Sequence, residues 1–457
     1  MIKVSPARLA AFEILQKIER ERAFSSALLP IYEEKLVPKD KSLCHALTLG
    51  VLRNRIYLDR IVQSFSRTKT DKFDSEILNA LRLGLFQLRF LDRVPAHSAI
   101  NESVNLVHLA KKRSASGLVN AILRRAAREN DFKFEFADDI ERVSIETSHP
   151  RWLVKRWTRA FGFEETEKLT RADNQTPPLA FRLTNQSDAQ TVETLRKLDL
   201  EIAASTIARD GFRALNTNEM LFAFAESGKI YFQEESSQLV AEAVKFQSAE
   251  NFLDVCAAPG SKFTQCGLRI AERRTENRNS RSEEQNPQSA IRNPQLFAGD
   301  LHEHRLRVLR VSAAKQGLSD LNLIAYDAEN ALPFAAETFD RVLLDAPCSG
   351  TGTIRHNPEI RYFLREADFQ DLQAKQLKIL TNASKTVRRG GRIIYSTCSL
   401  EREENEALIE IFLSANDDFE TVAPDVPSRF LTSENFARTV PARDDCDGFF
   451  IAVLQKK

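Results

Sequence analysis

The sequence predicts a multidomain protein in which an all-α region, a small α+β region and a doubly wound α/β region follow one another. Three observations support this fold class. The chain has 457 residues, whereas one compact domain usually holds about 100–200. Apolar residues recur at helical spacing over residues 1–130, where Gly and Pro are rare. From residue 236 onward, short apolar strands alternate with helices, which is typical of βαβ units.

The composition is that of an ordinary globular protein, with 42% hydrophobic and 28% charged residues. No apolar run approaches the roughly 18–20 residues of a membrane span, and the first residues lack the apolar core of a signal peptide. The six cysteines are scattered and form no CxxC pair, which argues against a disulfide framework and a zinc site. We therefore expect a cytoplasmic protein with reduced thiols, no metal and no membrane association.

Residues 1–135 are predicted to form a helical bundle. Residues 76–91 are apolar nearly all round, which is typical of a buried central helix. Ser98 is predicted to cap another helix. Residues 114–129 are predicted to form a last amphipathic helix that buries Leu118 together with its other apolar residues.

Positive charge is concentrated in this region. The whole chain has a net charge of +1, but residues 1–130 hold 23 Lys and Arg against 13 Asp and Glu. Such an excess favours a polyanionic partner, although a solvated helical surface would explain the charge alone equally well. The densest basic patch consists of Lys111, Lys112, Arg113, Arg124, Arg125 and Arg128.

The rest of the chain divides by pattern into three parts. Residues 136–177 are predicted as a helical connector. Residues 178–235 are predicted as a small α+β unit, because PLAFRLTN and KIYFQ alternate like strands around the helical stretch TVETLRKL. Residues 236–457 form the α/β region. Within it, residues 272–296 are polar, with few apolar residues, and are predicted to be a disordered insertion.

The first chemical motif follows the first strand of the α/β region. An apolar strand runs from Asp254 into a turn of small residues, after which a helix opens. In open α/β sheets ligands bind beyond the carboxyl ends of strands, where small residues and a helix N-terminus admit a phosphate or nucleoside. The spacing of the glycines is not that of a Walker phosphate-binding loop. The predicted cofactor-binding residues of this loop are Cys256, Ala257, Ala258, Pro259, Gly260, Ser261 and Lys262.

Acidic residues end three later strands, namely Asp300, Asp327 and Asp345. An acid after the second strand is placed to accept hydrogen bonds from ribose hydroxyls. Without the insertion, Asp254 and Asp300 are separated by about the expected 20 residues. Any one of these acids is as readily a helix cap as a ligand. Together they predict a nucleoside-containing cofactor, bound by Asp300, Asp327 and Asp345.

Two cysteines also follow strands of the α/β region. Cys348 lies in the run DAPCSGTG and Cys398 in YSTCSL. A single cysteine after a strand is usually a small buried apolar residue, but two at one sheet edge, flanked by small polar residues, predict a thiolate nucleophile. On the residues alone, Cys348 and Cys398 are equal candidates.

The motifs CAAPGSK, DAPCSGTG and YSTCS, followed by EENE, resemble those of the NOL/NOP/Sun family of RNA (cytosine-5)-methyltransferases. The N-terminal segments LRLGLFQL, AHSAINESVNLV and GLVNAILRR resemble the RNA-binding domain of the antitermination factor NusB. The resemblance covers nearly the whole chain. It implies a NusB-like helical RNA-binding domain, a small RRM-like α+β unit, and a Rossmann-like methyltransferase domain that uses S-adenosylmethionine. It also implies that the substrate is a cytidine in 16S ribosomal RNA of the small subunit, and we expect the protein to be a monomer.

The resemblance also assigns roles to the reactive residues. Cys398 is the implied nucleophile, which adds to carbon 6 of cytosine so that carbon 5 can accept a methyl group. Cys348 is implied to assist release of the methylated base. Asp345 is expected to bind the N3 edge of the base. A buried neutral thiol would be inert, so Lys262 or a helix end must stabilise the thiolate.

The sequence departs from the family pattern at three positions. Ser261 replaces the second Gly of the cofactor loop and should be tolerated unless its φ angle is positive. Phe263 replaces a Thr, and Arg402 stands where a Pro is frequent. The residues also allow two other functions. One is a non-catalytic RNA-binding or antitermination protein with a decayed methyltransferase domain. The other is a thiol hydrolase, for which no suitable His partner is evident.

Overall fold

The computed structural model describes residues 4–129, 132–185, 187, 190–246, 250–279 and 295–457. The chain divides into two compact units. The predicted connector groups with the helical region, and the small α+β region groups with the α/β region. No described helix is long and apolar enough to cross a membrane. The first unit comprises Met1–Thr176 and Ile354–Glu366, and the second comprises Pro177–Thr353 and Ala367–Lys457.

The first unit is all-α, as predicted. Residues 354–366, which follow the Cys348 motif in the chain, belong to it and contain the short helix Ile360–Phe363. The sequence pattern gave no indication of this grouping. The remaining helices of the unit are α1 Pro6–Glu21, α2 Ser25–Glu33, α3 Pro38–Arg53, α4 Arg55–Phe65, α5 Ser75–Phe90, α6 Ala96–Leu109, α7 Ser116–Ala126, α8 Asp139–Glu146, α9 Arg151–Phe161 and α10 Phe163–Ala172.

Helix α5 is the central helix of this unit, in agreement with its apolar sequence. Helices α1, α3, α6 and α7 pack against it. A Cβ on Gly84 would lie 2.6 Å from the Leu123 side chain, so glycine allows α5 and α7 to approach closely. Two predictions are wrong here. Helix α6 begins at Ala96, so Ser98 lies inside it rather than at its cap. Leu118 is 40% exposed, because it faces away from the bundle.

His149 is a fully buried titratable residue of the first unit. Its Nε2 lies 3.2 Å from Asp173 Oδ2, and Arg361 Nη1 lies 3.2 Å from its Nδ1. Its Nδ1 also lies 2.9 Å from the Thr147 carbonyl oxygen, so both ring nitrogens face buried polar neighbours. Burial, followed by the positive charge of Arg361, lowers the pKa of His149 well below its ordinary value.

The small α+β part of the second unit has the element order β1 Leu179–Leu183, α11 Thr191–Lys197, β2 Ile202–Ala204, β3 Gly211–Ala214, α12 Glu219–Glu226 and β4 Ile230–Phe232. The four strands are arranged β2-β3-β1-β4, and all neighbours are antiparallel. This topology confirms the RRM-like α+β prediction. The two strands β2 and β3 are too short for a clear alternation and were not identified from the sequence.

A large mixed sheet forms the remainder of the second unit, with strand order β10-β12-β9-β8-β5-β6-β7 and β11 paired to β12. Strands β5 to β9 are parallel, and β12 and β10 add an antiparallel edge. The Rossmann-like prediction is confirmed, and the antiparallel edge extends it. The strands are β5 Phe252–Asp254, β6 Leu296–Asp300, β7 Asn322–Ala325, β8 Phe339–Asp345, β9 Val387–Thr397, β10 Phe419–Val422, β11 Ala437–Arg438 and β12 Phe450–Lys456.

Helices connect the parallel strands of the large sheet. The helix after β5 extends to Asn279 and β6 begins at Leu296, so the predicted insertion 272–296 is partly regular structure. Residues 280–294 of that prediction lie outside the described residues. The helices are α13 Glu235–Ala243, α14 Ser261–Asn279, α15 Glu303–Lys315, α16 Asp368–Ser384, α17 Glu406–Ser414 and the short helix Pro441–Asp444.

The buried, neutral His149 predicts a pH-dependent stability of the protein. The unfolded chain binds a proton at this histidine below pH ~6.5, whereas the folded chain does not, so acid favours unfolding. The stability advantage of the wild type over His149→Gln should therefore shrink by up to about 1.4 kcal/mol per pH unit below pH ~6.5. Denaturant unfolding of both proteins between pH 7.5 and 5.5 measures this difference. A difference that stays constant with pH would contradict it.

Candidate active site

The candidate site lies at the carboxyl ends of the parallel strands in the second unit. The chain passes from β5 to β6 on one side, and later to β8 on the other side of β5. Such a reversal of strand order opens a crevice beyond the ends of the two strands, where open α/β sheets bind their ligands. Asp254 ends β5, Asp300 ends β6 and Asp345 ends β8.

The loop from Asp254 to Lys262 fits a cofactor with polar groups. Asp254 is 1% exposed, and its Oδ1 has no hydrogen-bond partner within the described part of the chain. Burial, followed by the charge of Asp345, raises its pKa well above the ordinary value. Gly260 has φ +108°, and a Cβ there would lie 2.6 Å from Leu309. The positive φ falls on Gly260 and not on Ser261, which explains why serine is tolerated.

Asp300 and Asp327, both predicted to bind the cofactor, differ in their surroundings. Asp300 is 4% exposed, and its carboxylate accepts hydrogen bonds from the His302 backbone N–H at 3.0 Å and from Arg305 at 3.1 Å. Asp327 is exposed and accepts a hydrogen bond from the Glu329 backbone N–H at 2.9 Å. Both lie at the predicted edge of the sheet.

Asp345 forms a partly buried ion pair with the cofactor loop. Lys262 Nζ donates to Asp345 Oδ2 at 2.6 Å, and Ser396 Oγ donates to Asp345 Oδ1 at 2.8 Å. Burial lowers the pKa of Lys262, but Asp345, and then Cys398 and Asp254, raise it by more, so the net shift is upward. Lys262 therefore remains a cation, and its charge interacts with that of Cys398.

The structure brings the two predicted reactive cysteines together. Cys348 Sγ and Cys398 Sγ are 3.3 Å apart. The hydrogen bond to Cys398, followed by burial, raises the pKa of the Cys348 thiol well above its ordinary value. Cys348 thus stays protonated and can donate to the Cys398 sulfur.

The other cysteines do not share this environment. Burial raises the pKa values of Cys256, Cys266 and Cys446, and it raises that of Cys44 to about 11. Thiols that remain protonated are poor nucleophiles. Cys256 lies in the loop after β5, as predicted from the cofactor motif. Within the described residues, no cluster of His, Cys, Asp and Glu could hold a metal ion.

Three supporting residues were not identified from the sequence as part of the site. Ser396 hydrogen-bonds Asp345, whereas Gln376 and Glu404 contact the cysteine loops. Glu404 appears in the EENE run, but that run served only as a family motif. A buried glutamate two residues before a helix start resembles an ordinary capping residue, so the sequence contains no signal for its contacts with the cysteine loops.

A parallel sheet of this order, a cofactor loop after its central strand and two adjacent cysteines define a Rossmann-like methyltransferase. Family models agree with this class. The model described as 16S rRNA methyltransferase RsmB/F matches residues 289–455, the NusB family model matches residues 5–128, and a ferredoxin-like domain of RsmF/B-like methyltransferases matches residues 149–218.

Curated relatives match over the whole chain. "Probable ribosomal RNA small subunit methyltransferase B" of Bacillus subtilis is 33% identical, and the match covers 100% of both chains. Ribosomal RNA small subunit methyltransferase B of Klebsiella pneumoniae is 31% identical, covering 100% of this chain and 99% of its own. The chain therefore belongs to the family of ribosomal RNA small subunit methyltransferases B, and it is an S-adenosylmethionine-dependent methyltransferase.

Solved structures support the fold. The crystal structure of PH0851 superposes with a TM-score of 0.81 over 99% of both chains, at 22% identity. A methyltransferase homolog from Pyrococcus horikoshii gives a TM-score of 0.57 at 25% identity, covering 70% of this chain and all of its own. The first comparison, at its low identity, establishes the fold alone.

The Lys262 cation predicts that Cys398 is unusually reactive. A nearby positive charge favours the thiolate, which is the nucleophilic form of cysteine. Lys262→Gln should slow alkylation of Cys398 by iodoacetamide at pH 7.5 on the order of 10-fold, because the positive charge that interacts favourably with an anionic Cys398 sulfur is lost. Peptide mass spectrometry measures the rate at each cysteine. Lys385→Gln, which changes an exposed lysine, is the control, and equal rates in both variants would contradict the role of Lys262.

Proposed function

We propose that this protein methylates carbon 5 of a cytidine in 16S ribosomal RNA, with Cys398 as the covalent catalyst. The observation that supports this most directly is the 3.3 Å separation of the Cys348 and Cys398 sulfurs at the edge where the cofactor loop ends. A pair of thiols in contact suits a reaction in which one sulfur bonds to the base and must later leave it.

The chemistry explains why a thiolate is needed. Carbon 5 of cytosine is a weak nucleophile, and addition of Cys398 Sγ at carbon 6 makes carbon 5 enamine-like. Bound S-adenosylmethionine supplies the electrophilic methyl group. Once carbon 5 carries the methyl group, its proton leaves to a base, the bond from sulfur to carbon 6 breaks, and the aromatic ring is restored. The thiolate is regenerated, so atoms and charges balance over the cycle.

The neighbouring charges suit these steps. Lys262, held 2.6 Å from Asp345, stabilises the negative charge of Cys398 before attack. Asp345 is 31% exposed on its side chain, and in this proposal its carboxyl group bonds the N3 edge of the base and stabilises the adduct. Cys348 remains a thiol because of its contact with Cys398, and it can provide a proton or hydrogen bond as the product leaves.

We assign the cofactor-binding residues from their positions at the carboxyl ends of the parallel strands. The loop from Cys256 to Lys262 and the strand-end acids Asp300, Asp327 and Asp345 surround the same crevice edge. The buried Oδ1 of Asp254 supplies a further acceptor. In this proposal the enzyme acts in the cytoplasm as a monomer, and its thiol chemistry requires no metal ion.

The basic helical unit is proposed to bind the RNA. Lys111, Arg113, Arg124, Arg125 and Arg128 are exposed on or beside α7. Phosphate contacts by such residues provide affinity without reading sequence, and the target base must be unstacked to reach the cysteines. A non-catalytic role is disfavoured, because Cys348, Cys398 and Asp345 are present with their partners.

The two cysteines should fail in different ways when replaced. Cys398→Ser should neither methylate nor crosslink RNA, because no adduct can form. Cys348→Ala should form the adduct but resolve it slowly, so a denaturant-resistant complex of protein and RNA should accumulate. Both are measured by incubating each variant with 16S ribosomal RNA and S-adenosylmethionine, followed by a denaturing gel and 5-methylcytosine analysis.

Two results would overturn this assignment. If Cys398→Ser retains the shifted band and Cys348→Ala loses it, the roles are reversed. If both variants still methylate the RNA, the thiol mechanism itself is wrong. Cys446→Ser, which alters a buried cysteine of the same unit, serves as the control for loss of a thiol.

The basic patch should account for part of the salt dependence of RNA binding. Replacing Arg124, Arg125 and Arg128 by Gln removes three cations. The plot of the logarithm of the RNA association constant against the logarithm of the salt concentration should therefore become less steep, by about 2 in its slope. The affinity for S-adenosylmethionine should not change. Filter binding at several salt concentrations measures the slope.

A matched variant distinguishes the contribution of the basic patch to RNA binding from that of the overall positive charge of the unit. Lys35, Lys39 and Lys69 are exposed in the same unit but outside the patch. Replacing these three by Gln should leave the slope near the wild-type value. Equal slopes for the two triple variants would show that the patch has no special part in RNA binding.

A further inference from the structure

Glu404 is a fully buried acidic residue near the candidate active site. It ends the 3-10 turn Arg402–Glu404 that follows β9. None of the ion pairs among the described residues includes it, so its carboxylate is held by neutral donors. Burying a carboxylate without a cation is costly unless it is well hydrogen-bonded, which makes its contacts informative.

The Glu404 carboxylate joins the two cysteine loops. Its Oε2 accepts a hydrogen bond from the backbone N–H of Ser349 at 2.8 Å, and its Oε1 accepts one from Ser399 Oγ at 2.6 Å. Ser349 directly follows Cys348, and Ser399 directly follows Cys398. One side chain is therefore bonded to the residue next to each cysteine.

Two further residues fix Glu404 to the sheet and to α16. Gln376 Nε2 donates to Glu404 Oε2 at 2.8 Å and to the Pro347 carbonyl at 3.0 Å. The hydroxyl of Tyr395, in β9, donates to the Glu404 carbonyl at 2.7 Å. The carboxylate thus has a fixed position, and both loops are held to it by charge-assisted hydrogen bonds, which are the stronger kind.

We propose that Glu404 is a positioning residue that holds the cysteine loops so that Cys348 Sγ and Cys398 Sγ remain in contact. The catalytic effect of Glu404 rests on the proposed function. Its effect on the contact between the two sulfurs does not. Glu404 does not touch the reacting atoms. It acts through Ser349 and Ser399.

The charge of Glu404 has a second effect, which can be separated from the first. After the hydrogen bond to Cys398 and burial, the negative charges of Cys398 and Glu404 also raise the pKa of the Cys348 thiol. Glu404→Gln removes the charge but keeps the length of the side chain. Its amide can accept from the Ser349 N–H and donate to the Ser399 hydroxyl, which can act as an acceptor. Glu404→Ala removes both the charge and the bridge.

The rate of disulfide formation between Cys348 and Cys398 reports the contact directly. Diamide accepts two electrons and two protons from two thiols as the disulfide forms, and peptide mass spectrometry identifies the linked pair. Wild type and Glu404→Gln should form it at rates within about 3-fold of each other, whereas Glu404→Ala should be slower on the order of 10-fold. Glu410→Ala removes an exposed carboxylate of α17 and should match the wild type.

Activity provides the second measurement. Glu404→Ala should lower kcat for RNA methylation on the order of 100-fold, while KM for RNA and the affinity for S-adenosylmethionine stay within about 3-fold. In Glu404→Gln the alkaline limb of the pH profile of kcat should move to lower pH, because the Cys348 thiol ionises more readily. If Glu404→Ala does not fold, Glu404→Asp replaces it, since its carboxylate is one methylene too short to reach both serines.

Two results would overturn the proposal. One is that Glu404→Ala, or Glu404→Asp where it is used instead, forms the disulfide at the wild-type rate and has the wild-type kcat. The other is disulfide formation as slow in Glu404→Gln as in Glu404→Ala, because the glutamine keeps the bridge to both loops and should keep the sulfurs in contact. Failure of the proposed function would instead appear as absence of methylation by the wild type, and the disulfide measurement would still decide the role of Glu404.

Discussion

The parallel pairing of β8 and β9 is the constraint on which the candidate site depends. In their register Asp345 lies beside Ser396, so both strands end at the same level of the sheet. Cys348 follows Asp345 by three residues, and Cys398 follows Ser396 by two. A shift of this register by one residue would reverse the faces of one strand. It would bury different side chains and separate the sulfurs. The hydrophobic pattern of the two strands sets their register, and the register in turn sets the distance between the two thiols.

Charge balance is the second requirement of the site. Three acids end neighbouring strands, and placing them there is costly, because burial above all, and then the charge of Asp345, raises the pKa of Asp254 well above its ordinary value. Lys262 offsets part of this cost through its ion pair with Asp345. In the proposed mechanism the same cation also stabilises the Cys398 thiolate, so a residue that stabilises the strand ends would serve catalysis as well. Glu404 stands apart, because neutral donors alone hold its carboxylate.

The large features of this protein follow from the sequence, because they depend on local pattern. Apolar strands ending in Asp254, Asp300 and Asp345 identify the sheet edge, and the flanking small residues identify the cysteine loops. Contacts between distant residues do not have such a signature. The 3.3 Å contact of the sulfurs and the bridge made by Glu404 depend on register and loop conformation. The grouping of residues 354–366 with the helical unit likewise depends on tertiary contacts.

The most direct test of the central claim is to identify which sulfur bonds to the base. An RNA substrate carrying 5-fluorocytidine at the target should trap the adduct, because fluorine cannot leave carbon 5 as a proton does. Digestion and mass spectrometry of the trapped wild-type complex then locate the modified peptide. The account predicts that the nucleotide is attached to Cys398. Attachment to Cys348, or a methylated product released without any trapped complex, would contradict it.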